Sequence, residues 1–289
     1  MERRVAFLGP SGTFTEEASR YFFEGHEVIY IPKPTIPDVL DAVDQAVVDY
    51  AVVPIENSIE GTVNLTMDWL IHQVDLPIRG ELAYPITQHL VAAKPIELNQ
   101  VKKVLSHPQA IAQCRLFLHE FMPQAEIEYT SSTAEAIKIV SMNSQESWAA
   151  IGNRLAKSIY PVQYLKEDIQ DQENNYTRFA LVSKQEIKLR PTEQERTTIL
   201  VTLPEDFPGA LYQVLAAFAW RKINLSRIES RPTKKGLGSY HFIIDIEQQM
   251  DPILFPGAFA EIEAIGCQVR QMGSYPFYVK EMDIPLGKN

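Results

Sequence analysis

Over residues 1 to about 185, short apolar runs alternate with helical stretches, and this alternation constrains the fold more than any other feature of the chain. Val5–Leu8 is the first strand; the loop GPSGTFT follows it, and Thr13-x-x-Glu16 has the spacing of a capping box that opens a helix. Thr35-x-x-Asp38 opens a second helix, whose Val39, Leu40, Val43, Ala46 and Val47 recur at helical spacing. Further strands are expected at 51–55, 79–93, 101–105, 126–130, 148–151 and 162–165, with helical segments between most of them. A βαβα succession predicts an α/β class with parallel sheets covered by helices. The extended stretch RGELAYPITQHLVAA is expected to cross between two such sheets, giving two lobes and a cleft. NNYTRFALV closes the region: polar residues run straight into Phe179, Ala180, Leu181 and Val182, a strand expected to be buried on both faces.

After residue 185 the order changes. SKQEIKLRPTEQERT is charged, holds Pro191 and lacks periodicity, so residues 186–197 are expected to be a linker. TILVTLP is a strand, and Leu211, Val214, Leu215 and Phe218 make a helical stripe. SRIES and SYHFIIDIE, separated by the turn TKKGLG, form a strand pair; Phe255, Phe259, Ile262 and Ile265 mark a second helix, and CQVRQMGSY a last strand. Residues 198–277 thus read as βαββαβ, the ferredoxin-like plan, with 278–289 a loose tail.

A net charge of −10 and the absence of any Lys/Arg-rich stretch argue against nucleic acid and anionic membrane surfaces as partners. No apolar run approaches the ~18 residues of a membrane span, and the N-terminus shows no secretion signal, so a cytoplasmic protein is expected. Cys114 and Cys267 are too few and too far apart for a disulfide framework or a zinc site, and the six histidines show no metal-binding spacing; no metal is expected. GPSGTF matches neither the Walker loop nor GxGxxG, and no GxSxG elbow exists, which leaves nucleotide binding and serine hydrolysis unsupported.

In open parallel sheets ligands bind beyond the carboxyl ends of the strands. GPSGTFT, ENS, SHPQ, TSSTAE and GNR occupy those positions; four carry Ser or Thr and the fifth Asn and Arg. Each alone is explained by helix capping. Five together, at helix N-termini that favour negative charge, point to a site for a small anion. His107 is expected to be a loop hydrogen-bonder rather than a base.

GPSGTFTEEA, PIENSIEGTV, SHPQAIAQC, NNYTRF, GALYQVL and IESRP, in that order over nearly the whole chain, resemble the prephenate dehydratase family with its C-terminal ACT domain. With no chorismate mutase segment ahead of Met1, the resemblance is to the monofunctional form. It implies a two-lobed, periplasmic-binding-protein-like catalytic domain over 1–185 and an ACT domain over 198–277. It implies decarboxylating dehydration of prephenate to phenylpyruvate, in L-phenylalanine biosynthesis, with no cofactor because aromatisation supplies the driving force. Thr177 takes the catalytic role that the resemblance gives to the Thr of TRF, with Glu56 as a possible acid if burial raises its pKa. Ser11, Thr13, Asn57, Ser58, Ser106, Gln113, Ser132, Asn175, Arg178 and Phe179 are the expected substrate-binding residues. The departing ring carboxylate should have hydroxyl, amide and apolar neighbours and no paired Arg, because an ion pair would hold the ground state more than the transition state.

In the ACT domain, Gly209, Ala210, Leu211, Asn224, Leu225, Glu229, Ser230, Arg231 and Pro232 are the expected effector site, with phenylalanine as feedback effector and a homodimer or homotetramer as the assembly. The linker is expected to carry the coupling. Two alternatives stay open at this level: a solute-binding protein on the same scaffold, and arogenate dehydratase.

Overall fold

Thr13 and Thr35 cap helices as their spacing predicts, their hydroxyls accepting from the backbone N–H of Glu16 and Asp38. These caps fix the chain's first turns back over the sheet. The structure is a computed structural model, and it describes residues 2–204, 208–234 and 240–282. In chain order the first elements are β1 (Arg3–Leu8), α1 (Phe14–Phe22), β2 (Val28–Lys33), α2 (Ile36–Asp44), β3 (Tyr50–Asn57), β4 (Gly61–Thr62), α3 (Asn64–His72) and β5 (Ile78–Pro85). Then come β6 (His89–Ala92), β7 (Lys103–Ser106), α4 (Pro108–Gln113), α5 (Arg115–Phe121), β8 (Glu126–Tyr129), α6 (Thr133–Met142), β9 (Trp148–Gly152), α7 (Arg154–Ile159), β10 (Gln163–Lys166) and β11 (Tyr176–Val182). The last group is β12 (Glu195–Thr202), α8 (Ala210–Ala219), β13 (Leu225–Pro232), β14 (Tyr240–Ile246), α9 (Leu254–Ala264) and β15 (Gln268–Val279).

The chain divides into two units: residues 2–75, 82–184 and 279–282 form one, residues 76–81 and 185–278 the other. In the first unit, one lobe has strand order β5-β11-β3-β1-β2, with β4 folded onto β3. The other lobe has order β10-β6-β9-β7-β8. The chain passes between the lobes twice, after β5 and between β10 and β11. Each returning strand therefore enters its sheet reversed: β11 runs antiparallel to β3, and β6 antiparallel to β9. The parallel sheets expected from the βα alternation are mixed sheets for this reason, although β1, β2 and β3 are parallel, as are β7, β8 and β9. Phe179, Ala180, Leu181 and Val182 of β11 are buried, as that apolar run predicts. Full burial of one large apolar side chain is worth roughly 1.5–3 kcal/mol.

The second unit has order β13-β14-β12-β15, antiparallel throughout, with α8 and α9 packed on one face: the ferredoxin-like plan. Its core joins Ile199, Val201, Ile244 and Ile246 to Val214, Phe218, Phe255 and Ile262. β12 begins at Glu195, so the last three residues of the expected linker belong to a strand. The tail expected from 278 begins as the end of β15, and the Lys280 N–H donates to the Ala83 carbonyl. Residues 283–289, and the part of the TKKGLG turn from 235, lie outside the described residues. Among the described residues no helix is long and apolar enough to cross a membrane.

Candidate active site

A cavity of about 1240 Å³ opens between the two lobes of the first unit. Its walls come from the ends of four strands. The loop after β1 supplies Ser11 and Thr13; β3 and its loop supply Asn57 and Glu60; the loop after β7 supplies His107 and Gln109; the loop after β8 supplies Ser131, Ser132 and Thr133. GNR, the fifth loop expected there, is not part of the wall. Gln113, Thr177 and Phe179 complete the expected residues that line it. Gln88, Ile86, Lys33 and Lys138 also line it. The sequence reading missed these four; Ile86 and Gln88 sit where the chain crosses between lobes, a placement only the pairing of β5 and β6 with different sheets reveals.

Thr177 lies opposite Asn57 in the β11–β3 ladder. The Asn57 Nδ2 donates to Thr177 Oγ1 and to Asn175 Oδ1, each at 2.9 Å, and more weakly to the Tyr176 carbonyl at 3.3 Å. On its other side, Asn57 Oδ1 accepts from the N–H groups of Ile59 and Glu60 at 3.0 and 3.1 Å. Those two donors fix which end of the amide faces Thr177. Asn175 is buried behind this pair and does not line the cavity.

Glu56 and Arg178, the next pair in the ladder, point to the opposite face because side chains alternate along a strand. Arg178 Nη1 donates to Glu56 Oε2 at 2.6 Å, and neither lines the cavity. Ser58 and Ser106 also stand off it. Ser58 accepts from the Tyr176 N–H at 2.9 Å, and the Ser106 hydroxyl, fully buried, donates to the Ile151 carbonyl at 2.8 Å. A buried hydroxyl must find a partner; here that need ties β7 to β9.

Helix starts line the wall as capping predicts: Thr13 caps α1 and Ser132 caps α6. His107 caps α4, its Nδ1 accepting from the Gln109 N–H at 3.3 Å, the loop role expected of it. Gln88 Nε2 donates to Gln113 Oε1 at 3.2 Å. Glu135 is held below the usual carboxylate range by hydrogen bonds from the Ser131 hydroxyl and N–H, and burial raises the Tyr160 phenol. Two lysines and two acids, Glu60 and Glu135, are the charges on a wall otherwise made of hydroxyl, amide and apolar groups; no arginine lines it among the described residues. Among those residues, too, no three His, Cys, Asp or Glu side chains converge as metal ligands.

In the second unit, Gly209 starts α8 with φ +90, a left-handed backbone that glycine adopts without strain, and nothing within 4 Å would meet a side chain there. Ala210 is buried and Leu211 partly so, while Asn224 donates to Glu247. Along β13, Glu229 and Arg231 face away from α8 and α9, whereas Ser230 pairs with Phe242 on the helix side; Leu225 and Pro232 end the strand. Arg231 Nε donates to Glu229 Oε1 at 2.7 Å.

The family model for prephenate dehydratase matches residues 5–187, and that for the ACT domain matches 197–253. The chain belongs to the prephenate dehydratase family. Prephenate dehydratase of Bacillus subtilis (strain 168) is 46% identical over 284 residues, covering 95% of this chain and 99% of that protein. The crystal structure of prephenate dehydratase from Arthrobacter aurescens in complex with L-Phe matches at 39% identity and a TM-score of 0.84, over 94% of this chain and 90% of that one. GqqA, described as a novel type of quorum quenching acylase, matches at 26% identity and a TM-score of 0.82, over 95% and 98%. The cavity lies within the residues that the prephenate dehydratase model matches, and the ACT match covers the second unit from β12 to the residue before α9.

Proposed function

We propose that this chain dehydrates and decarboxylates prephenate to phenylpyruvate, with Thr177 as the group that helps the ring hydroxyl leave. One observation carries the reading. Asn57 presents its N–H to Thr177 Oγ1, so the Thr177 oxygen accepts there and its own proton is directed elsewhere, toward the cavity that Thr177 lines. A threonine hydroxyl is too weak an acid to give its proton away fully. It donates an oriented hydrogen bond to the departing oxygen, stabilising charge that develops only in the transition state.

The ring carboxylate leaves as neutral CO2, and its neighbours are the hydroxyl, amide and apolar groups of the wall. The pyruvyl carboxylate is held by the starts of α1 and α6 with Lys33 or Lys138, whose positive charge suits an anion. Glu56 and Arg178 hold each other on the far face of the sheet, so this reading gives them a structural part, as it does Ser58 and Ser106. Asn175 supports Asn57 rather than substrate.

The C-terminal unit binds L-phenylalanine and feeds that binding back on turnover; the ACT match and the relative solved with L-Phe support this. The same reading makes the enzyme a cytoplasmic dimer or tetramer, with the catalytic part over 1–185 and the ACT part over 198–277.

The test is phenylpyruvate formation by wild type, Thr177→Val and Thr177→Ser, with and without L-phenylalanine. Thr177→Val should lower kcat by about 10²–10³, the cost of losing one oriented donor, while Thr177→Ser keeps most of the activity. A folded Thr177→Val close to wild type would overturn the assignment. Arogenate and an N-acyl amide, assayed beside prephenate, cover the substrates that a shared fold leaves open.

A further inference from the structure

Gln88 is almost wholly buried, 2% exposed, although it belongs to the cavity wall. It lies on the first crossing between the lobes, and its backbone is held from the second. Its N–H donates to Gln170 Oε1 at 2.9 Å, and its carbonyl accepts from the Ile169 N–H at 2.8 Å. The second crossing also holds Gln113, the last residue of α4, whose carbonyl accepts from the Asp171 N–H at 2.7 Å. Asp171 is fixed in turn, its carboxylate accepting from the Leu116 N–H at 3.1 Å. Residues 169–171 thus hold the two glutamines side by side, and Gln88 Nε2 donates to Gln113 Oε1 at 3.2 Å.

Stability does not explain a glutamine at position 88. Its Oε1 is buried and, among the described residues, has no hydrogen-bond partner. A buried acceptor left unpaired costs free energy, and folded proteins mostly avoid it. An apolar side chain of the same length would fill the space without that cost. What such a side chain cannot do is hold the oxygen end of the Gln113 amide. Gln113 is half-buried, and its Nε2 makes no hydrogen bond among the described residues. With the oxygen engaged by Gln88, both N–H groups are left for a ligand in the cavity that Gln113 lines.

Which end of this amide is free matters for the substrate. A carboxylate only accepts hydrogen bonds, so it takes the N–H end and is repelled by the oxygen end. With the pyruvyl carboxylate held by the helix starts and a lysine, the ring carboxylate is left to neutral donors. The terminal torsion of a glutamine is broad and roughly two-fold, so an unheld amide presents either end.

We propose that Gln88 is a positioning residue, which keeps the N–H end of Gln113 turned to the ring carboxylate of prephenate. The inference rests on the reading of the cavity as a prephenate site. Because that carboxylate leaves as neutral CO2, the hydrogen bond holds the substrate more than the transition state. Its loss therefore raises KM without lowering kcat.

The experiment measures KM and kcat for prephenate, together with Tm, in full-length wild type, Gln88→Met, Gln113→Met and the double variant. Gln113→Met loses a donor to a charged group and should raise KM by about 10–100-fold. Gln88→Met leaves that donor present but unheld. It should raise KM by about 3–10-fold, the cost of ordering one flexible side chain on binding, with kcat not lowered and Tm close to wild type. In the Gln113→Met background, Gln88→Met should move KM by less than about twofold, because it has nothing left to position. A wild-type KM in Gln88→Met overturns the inference. So does an equal effect of Gln88→Met on KM with and without the Gln113 amide, or a joint fall in kcat and Tm, which would mark a structural part. A wild-type KM in Gln113→Met removes the group that Gln88 is said to position, and overturns the inference as well. A wild type that does not turn over prephenate overturns the reading beneath it, and this inference with it.

Discussion

Glu17 is a carboxylate in a place that disfavours its charge. Burial pushes its pKa up to about 7, against the opposing pull of a hydrogen bond from the Leu155 N–H at 2.9 Å, the field of Lys280, a hydrogen bond with Tyr84 and the field of Arg154. A carboxyl whose folded pKa lies above its unfolded value binds its proton more tightly when folded. Its contribution to stability is therefore complete below about pH 4.5 and is lost as pH rises through 7. The full swing is about 3 kcal/mol at most, from about 1.4 kcal/mol per pKa unit. Glu17→Gln cannot ionise, so wild type should lose stability relative to this variant between pH 5 and pH 8 in urea melts. A difference independent of pH would show that Glu17 is solvated. The sequence reading saw Glu17 only as part of a helix start; that α1 brings it against the first turn of α7 is a long-range fact.

At the scale of elements, β15 and the start of β5 approach closely enough to dictate a residue. A side chain at Gly273 would place its Cβ 2.3 Å from the Ile78 carbonyl oxygen, and backbone cannot yield as a flexible side chain can. Gly273→Ala should cost about 1–3 kcal/mol, the usual penalty of overpacking, and lower Tm. An unchanged Tm would mean that the two strands part without cost. Elements differed in how legible they were. The strands, caps and helical stripes of the second unit follow from local period and polarity. β2 was not expected, because it is half-exposed, unalternating and holds Pro32 just before its last residue, features tolerated at a sheet edge but carrying little pattern. Glu56 and Arg178 were readable as charged neighbours of the TRF and ENS motifs, but not as partners facing away from the cavity. That depends on the register of β11 against β3, including its shift after Arg178.

Over the whole molecule, the two units interleave: residues 76–81 belong with 185–278, so β5 is shared along its length. A chain cut after residue 185 would expose Glu81, buried and paired with Arg196 in the full protein. Removing one partner of a buried pair costs about 3–5 kcal/mol. The truncated chain should therefore unfold at lower denaturant than the full chain does, and equal midpoints would show that the first unit is self-sufficient. The linker is expected to carry the coupling between L-phenylalanine binding and turnover. A Gly/Ser insert after Gln185 should therefore weaken the L-phenylalanine response, typically about 5–150-fold in allosteric proteins, and leave basal turnover near wild type; an unchanged response would take that role from the linker.

The sequence alone determined the order of most elements, the helix starts, the family and four of the five loops expected at the cleft, because periodicity, capping and hydroxyl-bearing strand ends are local properties of the chain. It could name Thr177 and Asn57 without relating them. Tertiary structure decided that Asn57 donates to Thr177, that Arg178 serves Glu56, and that Glu81 pairs with Arg196. Each of these joins residues more than a hundred positions apart. Sheet register alone brings such groups within 3 Å or so, at ordinary hydrogen-bond distances.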